Sequence, residues 1–411
     1  MTNSPQLLVE KPRISSIDLV RGIVMVIMAL DHVRDFFHVS AFVFDPSDPA
    51  RASTALFFTR WITHFCAPTF VLLTGTSIRL SLQRKSKKEL SRFLWTRGLW
   101  LVFLEFTVVR FSFFFNLYYD VTVIQVIYAI GVSMIIMAAL IQLKERVLLI
   151  SGIVIIAGHN LLDYFPVSPG HPLFAVCTLV YQGGPLQIAP GKMFFVGYPF
   201  LPWLGIMLVG YSMGQWYHRE FDPVRRQKLL MTVGIAATLV FLIARAINGY
   251  GDPAPWEVQK NPLHTFLSFM NCTKYPVSLM YTLMTLGPVL VLLSWIEKVS
   301  LRRWKPIEVF GRVPMFYYII HFYLIHILAI ATYLIVRHKT FADLNFHFLT
   351  GGSFLAGPAT PGYFGGVPIG AGYGLPWVYL VWMVVILIMY PLCKKYNAYK
   401  SSHSQWWLSY L

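Results

Sequence analysis

Long apolar runs separated by short polar segments dominate the chain. A helix rises about 1.5 Å per residue, so about 20 apolar residues cross the hydrocarbon core of a bilayer. The pattern therefore predicts an all-α, polytopic integral membrane helical bundle with about ten transmembrane helices. The predicted spans are 17–37, 56–79, 93–115, 121–142, 147–165, 194–215, 229–248, 275–296, 307–335 and 376–393.

The loops between these spans alternate in charge. Lys and Arg concentrate in every second loop, as in "QRKSKKELSR" (83–92) and "HREFDPVRRQK" (218–228), whereas the intervening loops are poor in basic residues. Cytoplasmic loops carry the excess of basic residues, so both termini are predicted to be cytoplasmic. The domain prediction is a cytosolic tail over 1–15, one transmembrane domain over 16–396 and a second cytosolic tail over 397–411.

Composition agrees with this class of protein. Hydrophobic residues make up 56% of the chain and charged residues 13%, against about 25% charged in soluble domains. The net charge of +16 does not indicate a nucleic-acid partner, because the basic residues lie in short loops between apolar runs. Four widely spaced cysteines form no CxxC pair, so we predict no metal site.

Several predicted spans carry ionisable residues, which cost about 2.5–3.5 kcal/mol each on insertion scales. The predicted orientation places them at similar depth in the outer half of the membrane, which predicts one polar cavity open to the exterior. Each group taken alone is also compatible with a structural ion pair. The groups are Asp31, His32, Arg34, Asp35, His38, Arg60, His64, Glu105, Arg110, His159, Asp163, Lys274, His321 and His326.

The end of the first span is the most informative part of this set. Asp31, Arg34, Asp35 and His38 are three, four or seven residues apart, so they share one helical face. A histidine beside a carboxylate is suited to general base catalysis, and equally to proton relay in a transporter. These residues therefore leave two functions open: an enzyme, or a transporter or flippase for a sugar or a lipid-linked envelope intermediate.

Five segments in order carry a family resemblance. "SIDLVRGIVMVIMALDHVRDFFH" (16–38) resembles the start of the catalytic domain of the heparan-α-glucosaminide N-acetyltransferase family, and especially of its bacterial relatives. The later segments that are similar are "PTFVLLTG" (68–75), "PWLGIMLVG" (202–210), "NCTKYPVSLMY" (271–281) and "FGRVPMFYYIIHFYLIH" (310–326).

The resemblance implies a membrane-bound acyltransferase of the bacterial cytoplasmic (inner) membrane. Its cofactor would be acetyl-CoA, as acyl donor from the cytosol, and its acceptor an amino sugar or glycan on the extracytoplasmic side. The family's catalytic histidine follows the first span and is preceded by an asparagine, whose position Asp31 occupies here. His38 is the best match for the base and His32 is its competitor. Direct transfer and an acyl-histidine intermediate both remain open.

The predicted site follows from both arguments. We expect Asp31, His32 and His38 to be catalytic, and five further residues to bind substrate or stabilise an oxyanion. These are Arg34, Arg60, His64, Lys274 and His321. The residues that contact CoA stay unassigned. The Gly/Pro-rich segment 351–376 is either a connector or a lid over the external cavity. The expected partners are membrane lipid and the glycan acceptor, and the sequence leaves a homodimer open.

Overall fold

Helices account for most of the protein in its computed structural model, which describes residues 14–347 and 362–410. The helices are α1 Ser15–Phe37, α2 Thr54–Thr63, α3 Cys66–Ser81, α4 Lys87–Leu104, α5 Arg110–Phe114, α6 Val126–Leu140, α7 Glu145–Gly158, α8 Phe174–Cys177, α9 Phe200–Met213, α10 Pro223–Ile247, α11 Pro262–Met270, α12 Leu279–Ile296, α13 Lys305–Arg312, α14 Pro314–Val336 and α15 Leu375–Ser402. The strands are β1 Val121–Ile124, β2 Gly184–Ala189, β3 Lys192–Val196, β4 Tyr363–Phe364 and β5 Val367–Pro368.

Within the described ranges, six helical segments are long and apolar enough to cross a membrane: Thr54–Ser81, Glu145–Tyr164, Pro223–Ile247, Leu279–Ile296, Pro314–Val336 and Leu375–Ser402. The first predicted span is also a long helix, but Asp31, Arg34 and Asp35 add charge to its second half. α6 and α9 have 15 and 14 residues, so they are shorter than a typical span. The fold is therefore a mostly helical bundle, and ten crossings with cytoplasmic termini stay predictions.

Polar residues fix the points at which several helices begin. Ser86 and Glu89 form a reciprocal capping box at the start of α4. Asp222 accepts hydrogen bonds from the first turn of α10, which opens with Pro223, and Ser278 caps α12 in the same way. Ser86 and Asp222 lie inside two basic loops, so α4 and α10 begin before the predicted spans 93–115 and 229–248, whereas α12 begins just after the predicted start at 275.

Two predicted spans contain a break, and proline explains both. Pro314 disfavours helical geometry at the preceding residue, and Val313 separates α13 from α14 with φ −130° and ψ 51°. Pro68 has no N–H to donate to the carbonyl of His64, four residues earlier. That carbonyl instead accepts a hydrogen bond of 2.7 Å from the hydroxyl of Tyr281, at the break between α2 and α3.

Two predicted helical spans begin as strands, so the prediction is wrong over these stretches. β1 lies where a span was expected from residue 121, and β3 where one was expected from residue 194. β1 pairs in parallel with β3, which pairs antiparallel with β2. The run Val121–Ile124 consists of three β-branched aliphatic residues and a threonine, a composition that favours a strand.

α1 connects the two main apolar cores. Its first half contributes Val20 to the core formed with α3, α6, α9 and α12, and its second half contributes Phe37 to the core formed with α14 and α15. Close packing against α13 depends on two glycines. A Cβ at Gly22 or Gly311 would lie 2.0 or 1.8 Å from a carbonyl oxygen of the other helix. The N-terminal half of α1 is thereby fixed against α13.

Candidate functional site

A cavity of about 500 Å³ lies beside the C-terminal end of α1. Its size is within the range of about 300–1,000 Å³ that is usual for small-molecule sites. Its Asp, His, Arg and Lys lining residues come from α1, α2 and the segments that follow α1 and precede α12. They are Asp31, His32, Arg34, Asp35, His38, Asp45, Arg60 and Lys274.

The carboxylate of Asp31 is the centre of a buried ion cluster. The Nη1 of Arg60 donates hydrogen bonds of 2.8 and 2.6 Å to its two oxygens. The Nη2 of Arg34 lies 2.9 Å from Oδ1, and the Nζ of Lys274 lies 4.0 Å from Oδ2. Arg34 also contacts Asp35, at 2.5 Å. Asp31, Arg34, Arg60 and Lys274 are all less than 9% exposed.

A hydrogen-bond network holds Lys274 in this cluster. Asp252 accepts hydrogen bonds from Thr273 and Ser278, which lie on either side of Lys274. The buried guanidinium of Arg245 lies 3.8 Å from Asp252 and donates to the carbonyls of Phe269, in the last turn of α11, and of Asn271, which follows α11. The segment 271–281 therefore contributes a fixed cation to the site.

The cluster has an excess of positive charge. Two carboxylates, Asp31 and Asp35, face three cations, Arg34, Arg60 and Lys274. With neutral histidines, the formal sum over these five groups is one positive charge. Asp45 also lines the cavity, so the formal sum over all its Asp, Arg and Lys side chains is zero, and the positive excess is confined to the cluster around Asp31.

His38 follows the last residue of α1 and is partly exposed to the cavity. Its Nδ1 accepts a hydrogen bond of 3.2 Å from the backbone N–H of Ser40 and lies 2.7 Å from the Ser40 hydroxyl. A backbone N–H can only donate, so the neutral ring carries its proton on Nε2. Partial burial, and next the positive charge of Arg34, lower the pKa of His38 from its ordinary value. The imidazole is thus kept in the neutral form that a base requires.

The other predicted histidines lie deeper. The ring of His32 also lines the cavity, and its Nδ1 is 3.8 Å from Asp35, beyond hydrogen-bond length. His321 is fully buried 5.3 Å from the His32 ring, and His64 is buried against Tyr281. His64 and His321 are not among the described residues that line the cavity.

The geometry changes the expected role of Asp31. The sequence suggested that its carboxylate orients a catalytic histidine. In the described part of the chain its ionic partners at hydrogen-bond distance are instead Arg34 and Arg60. The group that contacts the His38 ring is Ser40. Asp31 has three nearby cations to neutralise, which explains why its oxygens face them.

Five further ionisable groups do not join the cavity, although the sequence predicted one common site. Glu105 accepts hydrogen bonds from the backbone N–H groups of Gln125 and Tyr128 and so caps α6. The others also bind backbone or a local side chain. Arg110 donates to the carbonyl of Val121, His159 binds the carbonyl of Val277, Asp163 accepts from Asn160, and His326 binds the carbonyls of Ser112 and Gly365. These groups hold helix ends and loops together.

Part of the Gly/Pro-rich segment forms a wall of the cavity. Residues 348–361 lie outside the described residues, but from 362 onwards the chain packs on the end of α1. Tyr373 exchanges backbone hydrogen bonds with Phe37 and Val39, and Phe364 lines the cavity. The backbones approach so closely that a Cβ on Gly372 would lie 2.6 Å from the carbonyl carbon of His38. The choice between a connector and a lid for 351–376 stays a prediction.

A second cavity, of about 330 Å³, lies towards the other end of the bundle. Its polar lining includes Arg21 near the start of α1, Ser77 and Ser81 near the end of α3, and Arg97 of α4. Among the described residues, four side chains line both cavities, namely Met28, Phe70, Val126 and Tyr318. The two cavities therefore adjoin along α1. We refer to these four residues as the neck.

The sequence analysis missed three polar residues of the site. Ser40 contacts His38, Tyr275 packs beside Arg60 and Lys274, and Tyr318 lies at the neck. The sequence contained a clue to two of these residues. Ser40 lies two residues from His38, and Tyr275 follows Lys274 in a segment that carries the family resemblance. In the described ranges, no cluster of three or more His, Cys, Asp or Glu side chains could hold a metal ion.

Comparison with known proteins identifies the family. No curated protein matches the chain. A family model described as heparan-alpha-glucosaminide N-acetyltransferase, catalytic, matches residues 13–246. The match contains α1 to α3 with Asp31, His38 and Arg60, and it ends before Lys274. Together with the apolar helices, it indicates an integral membrane protein of the acetyltransferase type. The chain belongs to the heparan-alpha-glucosaminide N-acetyltransferase catalytic-domain family.

Proposed function

We propose that this membrane acetyltransferase takes its acetyl group from acetyl-CoA in the cytosol. It transfers the group to an amino sugar or a related glycan on the extracytoplasmic side of a bacterial cytoplasmic membrane. The observation that carries the proposal is the pair of adjoining cavities. One contains a partly exposed histidine with a lowered pKa, and the other lies at the end of the bundle that loop charge predicts to be cytosolic.

We call the second cavity, lined by Arg21 and Arg97, the inner cavity, and it is suited to binding the acyl donor. Arg21 and Arg97 bring two cations to its wall, the Ser77 hydroxyl accepts a hydrogen bond from Arg21, and Ser81 lines the same cavity. Guanidinium groups are suited to phosphate recognition, and an apolar wall can pack against the pantetheine chain. These residues would hold acetyl-CoA, whose thioester is the activated acyl group. Their contribution is to bind the donor so that its acetyl end reaches the neck.

We call the first cavity, beside the C-terminal end of α1, the outer cavity. It contains the proposed base, His38, and is suited to binding the acceptor. His38 removes the proton of the acceptor amine, and the Ser40 hydroxyl, 2.7 Å from Nδ1, lies where it can relay that proton. As the proton leaves, the amine nitrogen bonds to the acyl carbon and the carbon–sulfur bond breaks. CoA departs as a thiolate that takes a proton from solvent. Arg34, Arg60 and Lys274 offer hydrogen-bond donors to the polar groups of the acceptor, and Asp31, Asp35 and Asp45 balance their charge.

Purified protein in lipid nanodiscs, given radiolabelled acetyl-CoA and a panel of amino sugars and glycans, tests this function. We expect release of CoA that depends on acceptor, with label appearing in the acceptor. His38→Ala should abolish transfer, because a general base contributes about 10²–10⁴ in rate. His32→Ala tests the competing base. His171→Ala is a matched control, because His171 is exposed and lines neither cavity.

The outcomes separate the alternatives. Near-normal transfer by His38→Ala would exclude His38 as the base, and loss in His32→Ala alone would assign that role to His32. Vesicle uptake of a sugar without release of CoA would contradict the enzyme proposal. The transporter alternative gains no support from the family match.

A further inference from the structure

The neck between the two cavities has a single polar side chain among the residues that the structure describes there. Met28, Phe70 and Val126 are apolar, and Tyr318 alone carries a hydroxyl. Tyr318 belongs to the aromatic stretch of α14 that the sequence left without an assigned role. Its ring packs against Phe322 at 5.3 Å and His321 at 5.9 Å. The ring thus packs against residues of its own helix and also lines both cavities.

The Tyr318 hydroxyl is buried and has no hydrogen-bond partner among residues 14–347 and 362–410. The side chain as a whole is 6% exposed. A buried hydroxyl without a partner is unfavourable, and phenylalanine would fill nearly the same volume without this cost. A polar group that enters the neck would therefore gain a ready donor.

We propose that the Tyr318 hydroxyl donates a hydrogen bond to the thioester carbonyl oxygen of the acyl donor. This inference rests on the proposed function, because it requires a donor in the inner cavity and an acceptor in the outer one. The reacting carbon must then lie where the cavities meet. As the acceptor nitrogen bonds to that carbon and the carbon–sulfur bond breaks, negative charge develops on the carbonyl oxygen. A donor fixed in advance at this point stabilises the charge.

The cations of the outer cavity are less suited to this role. Arg34 and Arg60 already bind the carboxylate of Asp31 at 2.9 Å or less, and Lys274 lies 4.0 Å from it. None of the three is among the residues that line the inner cavity. Tyr318 lines both cavities, and its hydroxyl has no hydrogen-bond partner within the described residues. Its O–H is therefore available to the thioester. Its role would be catalytic, whereas the cations would select the acceptor.

Tyr318→Phe tests the inference, because it removes one oxygen atom. We expect kcat to fall by about 10²–10³, the usual effect of losing one oxyanion donor, while KM for acetyl-CoA changes little. Thermal stability should not fall, since the lost hydroxyl has no protein partner among the described residues. Tyr317→Phe is the matched control. Its hydroxyl is likewise buried without a partner in the described chain, but Tyr317 lines neither cavity, so kcat should stay within twofold of wild type.

A spectroscopic measurement makes the inference independent of the acceptor. With acetyl-CoA labelled with ¹³C at the carbonyl, infrared difference spectra of full-length protein report the hydrogen bond to the thioester oxygen. We expect a carbonyl band at lower frequency when bound than when free, and its return towards the free position in Tyr318→Phe alone. If acetyl-CoA binds and the band is the same in both proteins, Tyr318 is excluded and the proposed function stands. If acetyl-CoA does not bind, the proposed function fails and this inference fails with it.

Discussion

Replacement of Asp31 by asparagine should destabilise the protein by about 3–5 kcal/mol. Three cations lie within 4.0 Å of its carboxylate, two of them at 2.9 Å or less. At an effective dielectric constant of about 20, one such pair at 4 Å gains about 4 kcal/mol. The desolvation of all the partners offsets much of this gain. Removing one member of a buried pair leaves the other charges uncompensated, and this typically costs about 3–5 kcal/mol.

The assay is denaturant-induced unfolding of purified protein in detergent, followed by tryptophan fluorescence. A second variant, Asp31→Asn with Arg60→Gln, removes both members of the closest pair. Because the partner charge is gone too, the double variant should lose less stability than the sum of the two single variants. Glu145→Gln is the matched control. Glu145 binds Arg79 at 2.8 Å, but both side chains are more than a quarter exposed, so the expected cost is about 0–1 kcal/mol.

Two results would contradict the reasoning. An Asp31→Asn variant as stable as Glu145→Gln would mean that the buried ion pairs of Asp31 contribute no more to stability than an exposed pair does. Strict additivity of Asp31→Asn and Arg60→Gln would mean that the two side chains do not interact in the folded protein. Acetyl transfer measured on the same samples separates the roles. A stable double variant without activity would show that the charges act on substrate as well as on folding.

Two further predictions concern the wall of the outer cavity. Partial burial and the charge of Arg34 lower the pKa of His38, so the neutral base persists below the ordinary histidine value and activity falls only as pH drops through that lowered pKa. The acid limb of the pH–kcat/KM profile should therefore have its midpoint below about 6.5, and a midpoint above this value would contradict the assignment. Gly372→Ala places a Cβ 2.6 Å from backbone atoms of Phe37 and His38, so we expect a loss of about 1–3 kcal/mol in unfolding free energy, as for overpacked sites, together with reduced transfer. Gly158→Ala is its control, because a Cβ there meets nothing within 4 Å, and equal stability of the two variants would refute the clash.

The sequence predicted that the charged residues of the ion cluster lie near one another, because helical geometry and loop charge both constrain their positions. Residues 31, 34, 35 and 38 must share a face of any helix. Arg60 and Lys274 follow only if the chain turns back beside α1, which the alternation of basic and neutral loops implies. The structure places Arg34, Arg60 and Lys274 around Asp31. Depth in the membrane and helical phase were therefore sufficient to bring these residues into one region, but not to identify them as ion partners of Asp31.

The same reasoning gathered too many residues into one site. Depth alone does not say whether a charged side chain faces a cavity or a nearby helix end. Glu105 satisfies backbone N–H groups at the start of α6, and Arg110 satisfies carbonyls of the following loop. Each such bond depends on where a strand or a break interrupts the helices. β1 and the break at His64 were not apparent from hydropathy, because a short β-branched run and a proline in the first turn both lie within apolar stretches.

The neck offers a physical reason for an enzyme to divide its site in two. In the proposed reaction, an acetyl group passes from a donor in the inner cavity to an acceptor in the outer cavity, while ions must not cross between the two cavities. Apolar constrictions exclude water and therefore ions, and three of the four side chains that line both cavities in the described chain are apolar. The ion cluster around Asp31 lies on one side of this constriction, and Arg21 and Arg97 line the cavity on the other. A transporter would need the cargo itself to cross the neck, whereas acetyl transfer requires only that the two-carbon acyl group reach it.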